Sequence, residues 1–171
     1  MKRIVIIGSN GAGKSTFARR LSEKLNIPAT HLDRLYWCGD WQVVPHDVFL
    51  ERVEQTMQAP SWIIDGNNLR SLDKRLEKAD TLFWLELPPA LCVWNVIKRE
   101  MRCKGKARPD MPESCKSRID PDFLRIVWGF NAKNRKKIHE MLQQFPMVKV
   151  YHFRNYRQIR KFLEGEIHVT L

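Results

Sequence analysis

Apolar positions along the chain follow two alternating patterns. Short runs rich in Ile, Val and Trp stop at glycine, aspartate or proline, and between them apolar residues recur at helical spacing. That alternation predicts an α/β fold on a parallel sheet flanked by helices. Residues 3–7 form a β-branched run ending at Gly8, so they predict a central buried strand. Residues 14–25 place Phe17, Ala18, Leu21 and Leu25 on one face, which predicts the first helix. Further strands are predicted at 28–33, 61–65, 80–87 and 147–152, and helices at 46–58, 69–78, 90–102, 121–145 and 156–163. In the helix over 121–145, Phe123, Ile126, Val127, Phe130 and Ile138 are the core candidates. The aromatic segment LYWCGDWQVVP reads as a loop, and no repeat or linker interrupts the chain, so residues 1–171 read as one domain.

Composition narrows the class. With 43% hydrophobic residues, the 171-residue chain can bury a full core. No apolar run approaches the roughly 18 residues of a membrane span. The opening MKRIVIIGSNG ends in a glycine turn rather than a small-residue cleavage site, so it reads as a strand and not as a leader. The four cysteines form no C-x-x-C pair, and reduced thiols in a cytoplasmic protein are expected. A formal net charge of +11 favours a polyanionic partner: nucleic acid, an anionic membrane surface or phosphorylated small molecules. No long exposed apolar face is legible, so a monomer is expected.

The decisive segment is Gly8-Ser9-Asn10-Gly11-Ala12-Gly13-Lys14-Ser15, followed by Thr16. It fits G-x-x-x-x-G-K-[ST] between a predicted strand and a predicted helix, the context the phosphate loop requires. Its glycines let backbone N–H groups converge on phosphate, and the helix N-terminus adds a favourable field. Lys14 then reaches between β- and γ-phosphates, and the Ser15 hydroxyl serves as a Mg²⁺ ligand. ATP and Mg²⁺ are the cofactors this implies. GTPase specificity is not supported, because Asn131-Ala-Lys-Asn134 lies within a helix and lacks the acidic residue of N-K-x-D. A mechanical ATPase usually shows two acidic residues after an apolar strand, whereas Trp62-Ile-Ile-Asp65-Gly66 has a single one followed by glycine. That arrangement suits a small kinase, with Asp65 beside the Mg²⁺–phosphate site.

Further stretches keep one order and spacing: His31-Leu-Asp33, Trp62 to Asn67, Ala79-Asp80, Cys92, Lys98-Arg99, Asp110-Met111, Cys115, Arg118-Ile-Asp120, Phe123-Leu124 and Val127-Trp128-Gly-Phe130. Together with the phosphate loop they resemble the adenylate-kinase-like P-loop proteins known as DNA topology modulation proteins, over essentially the whole chain. Departures are the missing proline in YWCGDW, Asn68 where an aromatic residue often follows DGN, and Ser114 where a glycine usually precedes the second lid cysteine. The resemblance implies a P-loop NTPase fold with a parallel five-stranded sheet, an acceptor-side insert at about 34–60 and a lid at about 99–120. It also implies arginines that clamp phosphate: Arg99 and Arg118 at the lid ends, Arg102 and Arg108 behind them, and Arg135 from the following helix. The connection Phe153-Arg-Asn-Tyr156 takes the place where such kinases hold adenine.

Asp33, at the end of a predicted parallel strand, is a candidate to orient an acceptor hydroxyl, act as base or hold a Mg²⁺ water. Tyr36, Trp37 and Trp41 are candidates either to stack on the acceptor or to form the insert's own small core. Arg70 and Arg75 are candidates for an acceptor phosphate, with Asp65 between metal and acceptor. Cys103 and Cys115 lack the further ligands that a zinc lid needs. The resulting expectation is an ATP-dependent kinase acting on a small acceptor, possible acceptors including a nucleoside monophosphate. The alternative is a nucleic-acid-binding ATPase influencing DNA topology.

Overall fold

The computed structural model describes residues 1–39, 41–103, 115 and 120–165. Five strands, β1 (Arg3–Gly8), β2 (Ala29–His31), β5 (Trp62–Asp65), β6 (Thr81–Leu85) and β7 (Lys149–Phe153), pair in parallel in the order β2-β5-β1-β6-β7. The helices between them are α1 (Lys14–Leu25), α2 (Leu32–Tyr36), α3 (His46–Thr56), α4 (Leu72–Lys78), α5 (Pro89–Cys103), α6 (Pro121–Gln143) and α7 (Tyr156–Glu164). A short antiparallel hairpin, β3 (Trp37–Cys38) with β4 (Gln42–Val43), stands where the sequence predicts a plain loop. Gly39, at φ 43, supplies the left-handed backbone that the turn requires.

Period-2 burial explains why β1 is central. Ile4 and Ile6 enter one core with Phe17, Ala18 and Leu21 of α1, Cys92 and Val96 of α5, and Ile159 and Phe162 of α7. Val5 and Ile7 enter the other, with Phe49 and Val53 of α3, Leu72 and Leu76 of α4, and Trp62 and Trp84. Each side chain buried this way contributes roughly 1.5–3 kcal/mol. The start of β1 is fixed by Asp80, whose carboxylate accepts from the Lys2 and Arg3 N–H groups at 2.8 and 3.0 Å. Those bonds and the Thr81 hydroxyl outweigh burial and hold the Asp80 carboxyl below its ordinary range.

Helix α6 runs from one core to the other, contributing Val127 to the first and Ile138 to the second. Its stripe differs from the predicted one at Ile126, which is 62% exposed. The inward line is Val127, Asn131 and Ile138, and Asn131 is accepted there because its Nδ2 donates to the Leu87 carbonyl at 2.9 Å. Predicted strand 28–33 is also shorter than expected. It stops at His31, and Leu32 begins α2 because its side chain packs over Gly66.

Candidate active site

Gly8, His31 and Asp65 end three adjacent parallel strands, the place where ligand sites of open α/β sheets form. The phosphate loop is held from several sides. Ser9 Oγ donates to the Val127 carbonyl of α6 at 3.2 Å, and Asn95 Nδ2 of α5 donates to the Gly11 carbonyl at 2.9 Å. Gly11 has φ 80, and a Cβ there would stand 2.2 Å from the Cys92 carbonyl oxygen, so only glycine fits. Gly13 caps α1 in the left-handed conformation with no side-chain bond. Gly13 therefore brings no side-chain acceptor of its own to the first-turn N–H groups, the donors a phosphate uses.

A cleft of about 750 Å³ opens over this loop. Its walls include the cations Lys14, Arg19, Lys98, Arg99 and Arg102 and the carboxylates Asp33 and Asp65. Lys14 Nζ lies 3.1 Å from the Ser9 carbonyl, folded over the loop. Burial lowers its pKa, the attraction of Asp65 and Asp33 opposes that, and Arg99 adds to the lowering. Asp65 is only 2% exposed and has its Oδ1 2.6 Å from His31 Nδ1, its partner across the β2–β5 ladder. The carboxylate accepts, which puts the proton on Nδ1. Asp33 sits in the first turn of α2, half-buried on the same wall. Arg99 pairs with Glu100 at 3.0 Å.

Ser15 and Asp65 line this one cleft and offer a hydroxyl and a carboxylate oxygen. Hard oxygen donors few in number fit Mg²⁺, which keeps waters and takes its remaining ligands from phosphate. Tyr156, at the start of α7, is also on the wall. Its hydroxyl accepts from Asn95 Nδ2 at 2.7 Å, and its ring lies 3.8 Å from where a Gly13 Cβ would be.

Three predicted contacts are corrected. Arg75 is fully buried, away from the cleft, because its guanidinium is consumed by the carbonyls of Ser71, Gly66 and Asn68. Arg70 is exposed on the turn before α4 and does not form part of the cleft wall. Arg135 turns instead to Glu86, with Nε 2.6 Å from Oε1. Of the two alternatives for Tyr36 and Trp37, the rings take the second: they pack with Phe49 and Trp41, at ring distances of 5.4 and 5.5 Å, making the insert's own aromatic cluster. Arg108 and Arg118 lie outside the described residues, as does most of the expected lid; Cys103 is on the cleft wall, and Cys115 is buried with its Sγ 3.7 Å from the Gly39 carbonyl. Sequence reasoning assigns no role to Arg19, Asn95 or Lys98. Asn95 was findable as the polar break in the apolar run CVWNVI, whereas nothing in the local pattern distinguishes Arg19 from Arg20.

No protein-family model matches the chain. Adenylate kinase 2 of Nostoc sp. is 26% identical over 155 residues, covering 73% of this chain and 80% of that protein. Adenylate kinase of Mycobacterium ulcerans is 27% identical over 135 residues, covering 63% and 72%. Among solved structures, shikimate kinase from Bacteroides thetaiotaomicron covers 96% of both chains with a TM-score of 0.56 at 15% identity, a likeness of fold. The likeness to the two adenylate kinases supports a P-loop kinase, and the shikimate kinase structure supports the fold. Among the described residues, no helix is long and apolar enough to cross a membrane.

Proposed function

We propose that the chain transfers the γ-phosphoryl group of ATP to a small acceptor, with nucleoside monophosphates as the first class to test. The observation that carries this reading is the shared cleft, where the phosphate-loop lysine meets two carboxylates and a bank of cations. Phosphoryl transfer asks little covalent chemistry of a protein; it asks for positioning and for positive charge on the phosphate oxygens. Lys14, Lys98, Arg99 and Arg102 supply that charge. With a hydroxyl acceptor, Asp33 orients that hydroxyl and takes its proton as the new O–P bond forms and ADP leaves; a monophosphate acceptor attacks through an oxygen that is already anionic and needs no base. Ser15 and Asp65 are the residues that would hold Mg²⁺, which neutralises β- and γ-phosphate oxygens when bound. Similarity to two adenylate kinases supports a nucleotide acceptor; the resemblance to DNA topology modulation proteins supports the same residue layout without naming a chemistry.

A second reading is favoured by one feature. Lys133, Lys136 and Lys137 on α6, and Arg154, Arg157 and Arg160 at α7, are exposed outside the cleft wall. Such faces suit a nucleic-acid-stimulated ATPase. The two readings part in a screen that reads ADP formation with nucleoside monophosphates, nucleosides and sugar acids, and separately with DNA. The kinase reading expects an acceptor-dependent rate that Lys14→Ala lowers about 10³-fold, the scale of losing a main charge-stabilising donor, with the thermal melt retained. ADP formation only with DNA, rising with DNA length, replaces it by the second reading.

A further inference from the structure

Helix α4 buries Leu72, Arg75 and Leu76 on one face. Two of these are what an amphipathic helix buries; the third is a guanidinium with 0% exposure. Burying a charge is costly unless it is well bonded. No carboxylate among the described residues lies within ion-pair distance of Arg75; its bonds go to backbone instead. Nε donates to the Ser71 carbonyl at 3.2 Å, Nη1 to Gly66 at 3.3 Å and Nη2 to Asn68 at 2.7 Å. Burial pulls the group down to about 9, and the attraction of Asp65 works against that. The group is charged at neutral pH.

The carbonyls it gathers belong to one turn, residues 66–71, and that turn meets the site through its first two residues. Gly66 N–H donates to the Ile6 carbonyl at 3.1 Å, extending the ladder between β5 and β1. Asn67 Oδ1 accepts from the N–H of Gly8, the first residue of the phosphate loop, at 3.0 Å. Gly66, at φ 144, has no room for a Cβ, which would stand 2.6 Å from that of Leu32, the neighbour of Asp33. Asp65, Gly8 and Leu32 are thus all keyed to a turn that one buried side chain shapes.

We infer that Arg75 is a positioning residue: by bonding the carbonyls of Gly66, Asn68 and Ser71 it shapes the turn that presents Asp65 to the cleft and Asn67 to Gly8. This inference rests on the kinase reading, and it gives Arg75 a part in the site without contact to either substrate. A lysine in its place keeps the charge but cannot reach three diverging carbonyls at once.

The test compares the full chain with its Arg75→Lys and Arg75→Ala variants in three measurements. These are thermal melting, steady-state kinetics with Mg²⁺-ATP and the best acceptor from the screen, and hydrogen exchange of single backbone amides. In Arg75→Lys the expected result is a folded protein whose kcat falls about 10²-fold, the scale of a misplacement near 1 Å, with the KM for ATP changed far less. The Gly8 amide exchanges at least about tenfold faster, while Ile6 in β1 keeps its protection. Added guanidinium ion restores part of the loss in Arg75→Ala, which separates positioning from collapse. The inference is overturned if kcat and Gly8 exchange in Arg75→Lys match the parent chain. It is equally overturned if activity falls only in step with the folded fraction and all amides lose protection together. Absence of ADP formation by the parent chain with every acceptor sinks the kinase reading instead, and Gly8 exchange then decides alone whether Arg75 shapes the loop.

Discussion

The two walls that the kinase reading gives the cleft are made differently. The nucleotide wall is a run of consecutive residues, Gly8 to Thr16, and its working parts are backbone N–H groups with a single lysine. In that reading the acceptor wall draws Asp33 from α2 and Asp65 from β5, so its working parts are side chains set by separate elements. A backbone site tolerates changes in neighbouring side chains but not changes in φ, whereas a side-chain site does the reverse. The difference says where each wall is fragile.

The largest effect is expected from a single methyl group on the nucleotide wall. Gly11→Ala puts a Cβ 2.2 Å from the Cys92 carbonyl oxygen at φ 80, and that neighbour is helix backbone that cannot turn aside. The loop must move off α5, breaking the Asn95 bond to Gly11. Roughly 10³-fold lower turnover is expected from the displaced donors, against about 1–3 kcal/mol of stability for the strained backbone. Nucleotide titration checks it: unaltered ATP binding by Gly11→Ala would remove the claim that this wall works through backbone geometry.

Next in size is the acceptor wall. Asp33→Asn keeps the shape and removes the charge and the proton-accepting capacity. With a hydroxyl acceptor, turnover should fall about 10²-fold, the low end of a general base's worth, while ATP affinity changes little. Measuring both numbers breaks or keeps the division between the walls, because a matching loss of ATP affinity would place Asp33 on the nucleotide side.

The same division decided what the sequence discloses. The phosphate loop is legible because its chemistry is carried by contiguous letters whose spacing is itself the geometry. The three central strands were legible because the apolar runs IVII, WII and LFWL are buried on both faces. Ile126 was misread because α6 passes from one core to the other, so no single stripe describes it, and its inward line includes Asn131. The hairpin of β3 and β4 escaped because strands of two residues leave no period to detect. Arg75 is the plainest failure. Beside Arg70 and Lys74 it reads as one more surface cation, and only the turn it fills shows that its charge points inward. Long-range packing, which puts Gly66 and Asn68 around that side chain, has no local signature.

Tyr156 gives the smallest effect and the sharpest probe of the boundary. It is a side chain on the wall attributed to backbone, 44% exposed, with its ring near Gly13 and its hydroxyl bonded to Asn95. Burial holds its phenol above the ordinary value despite that bond, so it stays neutral and cannot serve as an anion at working pH. Tyr156→Phe keeps the ring and deletes one neutral hydrogen bond, worth about 0.5–1.5 kcal/mol. Asn95 retains its second partner, the Gly11 carbonyl, so the loop stays anchored to α5. The KM for ATP should therefore rise only about 2- to 10-fold, with kcat nearly unchanged, because the lost bond supports the loop equally in ground and transition states. A fall in kcat comparable to that of Asp33→Asn would mean that the hydroxyl acts on the reacting phosphate, and the nucleotide wall would then work through side chains as the acceptor wall does.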